Sequence, residues 1–166
     1  MTITITGASG FLGSAMAARF RARGHEVRDT GGVRLGSPAR FAGSDCVIHG
    51  AHDFAADAFE RNRAGTLAWF EQARCEGVAH QVFLSSFSAR SDSPSLYGRT
   101  KFAIERVFLE QGETVARPGL VAGPGGLFAK FARSLGRWHV APLVDADSPT
   151  VAVVALGDFL DAMTAI

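Results

Sequence analysis

Residues Thr2 to Thr6 alternate threonine and isoleucine and break at Gly7. The stretch Thr6-Gly7-Ala8-Ser9-Gly10-Phe11-Leu12-Gly13 then spaces its glycines as G-x-x-G-x-x-G. β-branched side chains stiffen an extended backbone, so the run reads as a short buried strand. Phe11 to Arg23 carry Leu12, Met16 and Phe20 at helical spacing and stop at Gly24. A strand, a glycine turn and a helix in direct succession open a βαβ unit, and each glycine has a mechanical reason to be there. The turn needs positive φ, the backbone must approach an anion closely, and the helix must pack on the strand with no Cβ between them. Unpaired N–H groups and the positive end of the helix dipole face that anion. The turn is therefore expected to seat the diphosphate of a dinucleotide among Gly7, Ser9, Gly10, Phe11, Leu12 and Gly13.

The rest of the chain keeps the same alternation. Further strands fit His25 to Asp29, Asp45 to Gly50, Val78 to Ser85 and Thr114 to Arg117, with helices over Ala64 to Glu76 and Tyr97 to Gln111. That pattern predicts an α/β fold with a parallel sheet covered on both faces. The interval from Asp29 to Asp45 is too short for a full strand-helix-strand excursion, so one crossover must be abbreviated or replaced by a turn. Near the end, Phe159, Leu160, Met163 and Ile166 hold helical spacing to the last residue, as if the chain were cut off mid-helix.

Composition narrows the class of function. The 166 residues suit one domain, and a net charge of +1 provides no basic field to gather nucleic acid. With 47% apolar and 20% charged residues the chain should fold into a compact core. No run approaches the roughly 18 apolar residues of a membrane span. Cys46 and Cys75 are too few for a disulfide framework, and no basic, apolar leader opens the chain. A cytoplasmic setting is expected.

Tyr97-Gly98-Arg99-Thr100-Lys101 forms the second constellation. Residues i and i+4 share a helix face, so the phenol and the ammonium can share a site. The chain has one tyrosine against 13 phenylalanines, and two lysines in all. Chance puts one of two lysines four places after the only tyrosine about 1% of the time. A free phenol, with a pKa of about 10, is a poor acid-base catalyst at neutral pH, and a neighbouring ammonium favours its ionised form. Ser85 and Ser86 end a predicted strand eleven residues upstream, where a hydroxyl can hold a substrate oxygen while the phenol exchanges the proton.

In this order the motifs resemble the short-chain dehydrogenase/reductase superfamily, in its extended or atypical NAD-dependent epimerase/dehydratase branch. TGASGFLG at 6–13 is similar to the family's nucleotide turn, and DCVIHGAH at 45–52 to its fourth strand, whose end, Gly50 and Ala51, borders the cofactor. NRAGT at 62–66 resembles its N-x-x-G-T helix start and FLSS at 83–86 its catalytic serine strand. YGRTK resembles the Y-x-x-x-K helix, and RPGLVAGPG at 117–125 the R-P-G-x-x-x-G-P-G segment.

The resemblance implies a Rossmann-type doubly wound parallel sheet in a single NAD(P)-binding domain over 1–166. Its region between the second and fourth strands is abbreviated, and about 118–166 supply a reduced, partial substrate region. It implies an NAD(P)-dependent oxidoreductase, or an epimerase/dehydratase, acting on a hydroxyl or carbonyl of a small substrate such as a sugar nucleotide. In that reading Ser86 polarises the substrate oxygen and Tyr97 is the general acid/base. Lys101 lowers the tyrosine pKa and holds the nicotinamide ribose, and Pro118, Gly119 and Leu120 lie near the nicotinamide. The alternative is a non-catalytic NAD(P)-binding regulator or interaction module.

Two departures from the family pattern bear on this. The acidic residue that holds the adenosine ribose in relatives ends the second strand, where this chain has Gly31-Gly32, with Asp29 two positions earlier; NAD and NADP both stay open as cofactor. Relatives also continue into a larger substrate region after the segment that TVAVVALGDF at 150–159 resembles. The family often dimerises through the helices that contain Leu67 and Tyr97, and Phe102 and Leu109 would suit such a homodimer contact. His49 and His52 make an H-x-x-H beside Asp53, but strand geometry sends i and i+3 to opposite faces and no metal site is expected.

Overall fold

The computed structural model describes residues 1–138 and 151–166. These form two compact units, Met1–Arg117 and Pro118–Ile166.

The first unit is built on five parallel strands. They are β1 (Thr2–Thr6), β2 (Glu26–Asp29), β3 (Cys46–His49), β4 (His80–Leu84) and β5 (Thr114–Ala116), in the order β2-β1-β3-β4-β5. Flanking helices are α1 (Phe11–Ala22), α2 (Phe59–Cys75) and α3 (Leu96–Glu110). The α/β expectation is met, with element ends within a few residues except at α2, which starts five residues earlier than its apolar spacing predicts. Strands β1, β3 and β4 are buried along almost their whole length, as parallel strands covered on both faces are, whereas the edge strand β2 is largely exposed. From β1 the chain moves first to β2 on one side and then to β3 on the other. The crevice outside the carboxyl ends of β1 and β3 is therefore the topological switch point where such sheets bind ligands.

Two aromatic clusters fix α2 and α3 to the sheet. Phe41, Val47, Trp69 and Ala73 pack in one, and Phe70, Phe83, Ile104 and Phe108 in the other. Phe70 and Phe108 are fully buried with ring centroids 4.5 Å apart, so truncating either to alanine should cost about 3–5 kcal/mol.

The shortened crossover is a loop over residues 30–45 with neither helix nor strand. Side chains of α2 and of Glu76, which follows it, satisfy its backbone. Trp69 Nε1 donates to Ser37 O at 2.7 Å, and Glu76 Oε2 accepts from Phe41 N and Ala42 N at 2.5 and 2.6 Å. Gln72 brackets Ala39 from both sides. Gly65 is required where the loop crosses the helix, because a Cβ there would stand 2.8 Å from Leu35 Cγ and 2.9 Å from Gly36 N. The loop thus does the packing that a crossover helix does elsewhere.

In the second unit β6 (Leu120–Ala122) and β7 (Val153–Ala155) pair in parallel, accompanied by α4 (Gly126–Trp138) and α5 (Leu156–Met163). The helical spacing up to Ile166 overshoots. Helix α5 ends at Met163, where Thr164 N turns back to the carbonyls of Leu160 and Asp161. Among the described residues no helix is long and apolar enough to cross a membrane.

Candidate active site

The glycine turn is built by close approach. Gly7 has φ +74°, and a Cβ on it would lie 2.9 Å from Ala51 N and Cα; a Cβ on Gly13 would lie 2.2 Å from Gly7 O. No side chain could stand at either place without moving backbone. Gly10 N donates to Gly7 O at 3.0 Å to close the turn, and Gly10 then caps α1 with no side-chain hydrogen bond, so an anion can reach the first-turn amides. Ser9 and Gly10 are exposed, Phe11 and Leu12 half-buried. Thr6 Oγ1 accepts from Gly50 N and Ala51 N, each at 3.1 Å, which pins the end of β3 to the end of β1 beside the turn. Asp29 is the last residue of β2, exposed, with Oδ1 accepting from Gly31 N at 2.6 Å.

The serine, tyrosine and lysine come together at the carboxyl end of β4. Ser95 caps α3 by accepting from Gly98 N at 3.0 Å. Gly98 permits the preceding loop to lie against the helix, since a Cβ there would be 2.4 Å from Ser88 O and 2.1 Å from Ser93 Oγ. In that loop Ser86 Oγ faces Ser88 Oγ at 2.9 Å, accepts from Ser88 N at 3.2 Å, and lies close enough to the Tyr97 phenol to pull its pKa down. One turn on, Lys101 is 3% exposed. Its Nζ donates to Leu84 O at 2.7 Å and lies 4.7 Å from the Phe83 ring centroid and 5.7 Å from that of Tyr97. Burial pushes the Lys101 pKa down to about 7, and the Glu105 carboxylate opposes the fall.

Here the sequence expectation needs correction. In this site the Tyr97 pKa is raised, because burial outweighs the lowering effect of the neighbouring Ser86 hydroxyl. The lysine is the more strongly perturbed of the two, since its charge is the more completely removed from water.

Several contributors went unrecognised in the sequence. Glu105, fully buried, accepts from Ser85 Oγ at 2.6 Å and from Arg117 Nε at 2.9 Å, with a second, shorter contact to Arg117 Nη2. A signal was available, because Tyr97, Lys101 and Glu105 repeat at i, i+4, i+8 on one helix stripe. Asn62 holds the loop after β3 by accepting from Asp53 N at 2.8 Å and donating to Asp53 O at 2.7 Å. His52 and Phe54 on that loop surround the phenol. The His52 ring stands edge-on to Tyr97 at 4.9 Å and to Phe54 at 4.8 Å, while Phe54 and Tyr97 lie 14° from parallel at 6.0 Å.

His49 lies elsewhere, between Phe41 and Phe108. Its Nε2 faces Gln81 Oε1 at 2.8 Å, the Gln81 amide nitrogen being used on Phe70 O. Nε2 is therefore the protonated nitrogen, and buried Nδ1 has no partner. The two histidines do not converge. Pro118, Gly119 and Leu120 belong to the second unit, where Gly119 packs so tightly that a Cβ would be 2.2 Å from Ala152 O.

The model of the NAD dependent epimerase/dehydratase family matches residues 3–110. The chain belongs to that family. No curated protein matches it. Among solved structures this family member is similar to a UDP-galactose 4-epimerase (TM-score 0.75, 23% identity, covering 99% of this chain and 71% of that one). It is also similar to the Helicobacter pylori ADP-L-glycero-D-manno-heptose-6-epimerase (TM-score 0.77, 18% identity, covering 97% and 71%). A short-chain dehydrogenase/reductase superfamily protein from Agrobacterium tumefaciens, solved with bound NAD, is a third (TM-score 0.67, 19% identity, covering 99% and 73%). At these identities the likeness is one of fold.

Proposed function

We propose that this family member is an NAD(P)-dependent enzyme of the oxidoreductase or epimerase/dehydratase type, acting on a hydroxyl or carbonyl of a small substrate through Ser86, Tyr97 and Lys101. The observation that carries the reading is the gathering of three groups at one strand end: a phenol beside Ser86, and a buried lysine that donates to Leu84 O with its ammonium 5.7 Å from the phenol ring. Sugar nucleotides are the substrates named for the structural neighbours, and they are the first class to assay.

The cradle supports a dinucleotide. The close approach at Gly7 and Gly13 and the uncapped start of α1 suit a diphosphate, with Ser9, Gly10, Phe11 and Leu12 around it and Gly50 and Ala51 behind. Asp29 is the proposed partner of the adenosine ribose, and Pro118, Gly119 and Leu120 are proposed for the nicotinamide. When bound, the nicotinamide ring supplies hydride transfer. Ser86 Oγ orients the substrate oxygen, and the Tyr97 hydroxyl takes or returns its proton. Lys101, in its ammonium form, stabilises the phenolate during that exchange. The helices α2 and α3, with Leu109 exposed, are the proposed homodimer surface, and the cytoplasm the proposed compartment.

Tyr97→Phe tests the assignment. It removes the proton-transferring oxygen and keeps the ring, so turnover should fall about 10²–10⁴-fold with NAD affinity retained. Unchanged turnover would remove Tyr97 from the chemistry. A wild-type protein that binds NAD, turns over no substrate and ignores the substitution would be a dinucleotide-binding regulator.

A further inference from the structure

The cleft beside the phenol has a volume of about 250 Å³, and all its lining residues come from the first unit. Its apolar wall is Phe54, Ala55, Ala56, Ala58, Phe59 and Leu96. The polar side chains of the lining are already engaged with the protein. Asp53 accepts from Ala55 N at 2.9 Å and Arg61 Nε at 3.1 Å, and Asn62 spends both ends of its amide on the Asp53 backbone. Thr100 Oγ1 donates to Leu96 O at 2.7 Å, and the Tyr97 hydroxyl, beside Ser86, is the group proposed to act on the reacting oxygen. Apart from that phenol, His52 is the lining side chain that makes no hydrogen bond among the described residues, and it stands edge-on to the two parallel rings. Phe54, meanwhile, is 81% exposed although it flanks the phenol.

We infer that this cleft receives a planar, apolar substituent, an aryl ring carried next to the reacting hydroxyl or carbonyl, in place of a hydroxylated sugar ring. The inference rests on the proposed role of Tyr97 and specifies the substrate class of that site. A sugar ring brings several hydroxyls that need partners when buried, and beyond the phenol kept for the reacting oxygen this lining offers them the His52 ring. An aryl ring needs none, and it can stack or sit edge-on against Phe54, Tyr97 and His52 while covering the exposed face of Phe54. Size agrees, because a cavity of roughly 150 Å³ already holds benzene, whereas a whole drug-sized ligand occupies roughly 300–1,000 Å³. Phe54 and His52 become the specificity-determining residues, acting on the substrate's ring, with the proton still exchanged at Tyr97.

The experiment compares 1-phenylethanol, 2-propanol and UDP-galactose as substrates of the full chain with NAD or NADP, in wild type, Phe54→Ala and Phe54→Trp. The expected result is a kcat/KM for 1-phenylethanol at least tenfold above that for 2-propanol. Phe54→Ala should cut that ratio about tenfold, and Phe54→Trp should restore most of it. Calorimetric titration of 1-phenylethanol into the Tyr97→Phe protein with dinucleotide present gives a readout independent of turnover, and there Phe54→Ala should weaken binding by a similar factor. Turnover of UDP-galactose with no discrimination for the aryl alcohol overturns the inference and leaves the enzyme reading standing. Binding of 1-phenylethanol that depends on Phe54 in a protein with no turnover does the reverse. A ratio and an affinity both indifferent to Phe54 overturn it outright.

Discussion

Glu105→Gln is the perturbation that ties the stability of this site to its chemistry. The carboxylate is fully buried and carries three contacts: Ser85 Oγ, and Arg117 through two nitrogens. Glutamine keeps the shape and an acceptor oxygen for Ser85 but ends the ion pair. Breaking a buried pair by removing one partner costs about 3–5 kcal/mol, largely through the charge left stranded. The side chain stranded here is Arg117, which is 48% exposed and can turn to water, so the loss should be smaller, about 2 kcal/mol. For a chain of this size that is a fall of roughly 4–8 °C in Tm. Arg117→Ala should cost more than Glu105→Gln, because it leaves the carboxylate, which cannot reach water, without its cation. Urea unfolding followed by tryptophan fluorescence measures both. A second readout tests the link to the catalytic lysine. Glu105 holds the Lys101 pKa up against burial, so its removal should move the Lys101 titration to lower pH from about 7. The chain has only two lysines, so ¹³Cε-lysine labelling in a Lys130→Arg background leaves a single signal to follow. A loss within 0.5 kcal/mol, an Arg117→Ala variant milder than Glu105→Gln, or an unmoved Lys101 titration would refute the reasoning.

Three further outcomes follow from the same geometry. Gly13→Ala places a Cβ 2.2 Å from a backbone oxygen, so NAD affinity measured by calorimetry should fall more than tenfold and stability by about 1–3 kcal/mol; an unchanged Kd would remove the cradle from binding. Stability should rise with pH between about 7 and 9, because Lys101 is depressed in the folded state and the unfolded chain then binds the extra proton, before the Cys46 thiol, pushed up to about 11 by burial, acts in the opposite direction; Lys101→Met should abolish the rise. The same sign applies to His49 and His52, both held near 4 by burial, so stability should fall as pH drops from about 6.5 to 4, and a flat denaturation profile there would contradict their burial. An exposed carboxylate at the end of β2 repels a 2′-phosphate, so NAD should bind more tightly than NADP and Asp29→Asn should narrow the gap; equal affinities in wild type would take Asp29 out of cofactor choice.

What the sequence by itself determined is local. The β-branched run, the three glycines and the helix after them specify a close-packed turn, because the positive φ of Gly7 and the steric exclusion of a Cβ at Gly13 by Gly7 act over a few residues; the approach of Gly7 to Ala51 is tertiary. The i, i+4 pairing of Tyr97 with Lys101 likewise follows from helix periodicity, and the length of the Asp29 to Asp45 interval alone requires a missing crossover helix. The tertiary structure decided what depends on the dielectric surroundings and on contacts far apart in sequence. Lys101 and Tyr97 are shifted by the loss of water around them, which no spacing records, and so the phenol lies above its ordinary pKa where its neighbour alone would place it below. The closure of Arg117 and Ser85 on Glu105, the clamping of loop 30–45 by Trp69, Gln72 and Glu76, and the gathering of His52 and Phe54 around the tyrosine join residues that only the folded sheet brings together. Hydrogen bonding and burial act through space, and the sequence orders residues only along the chain.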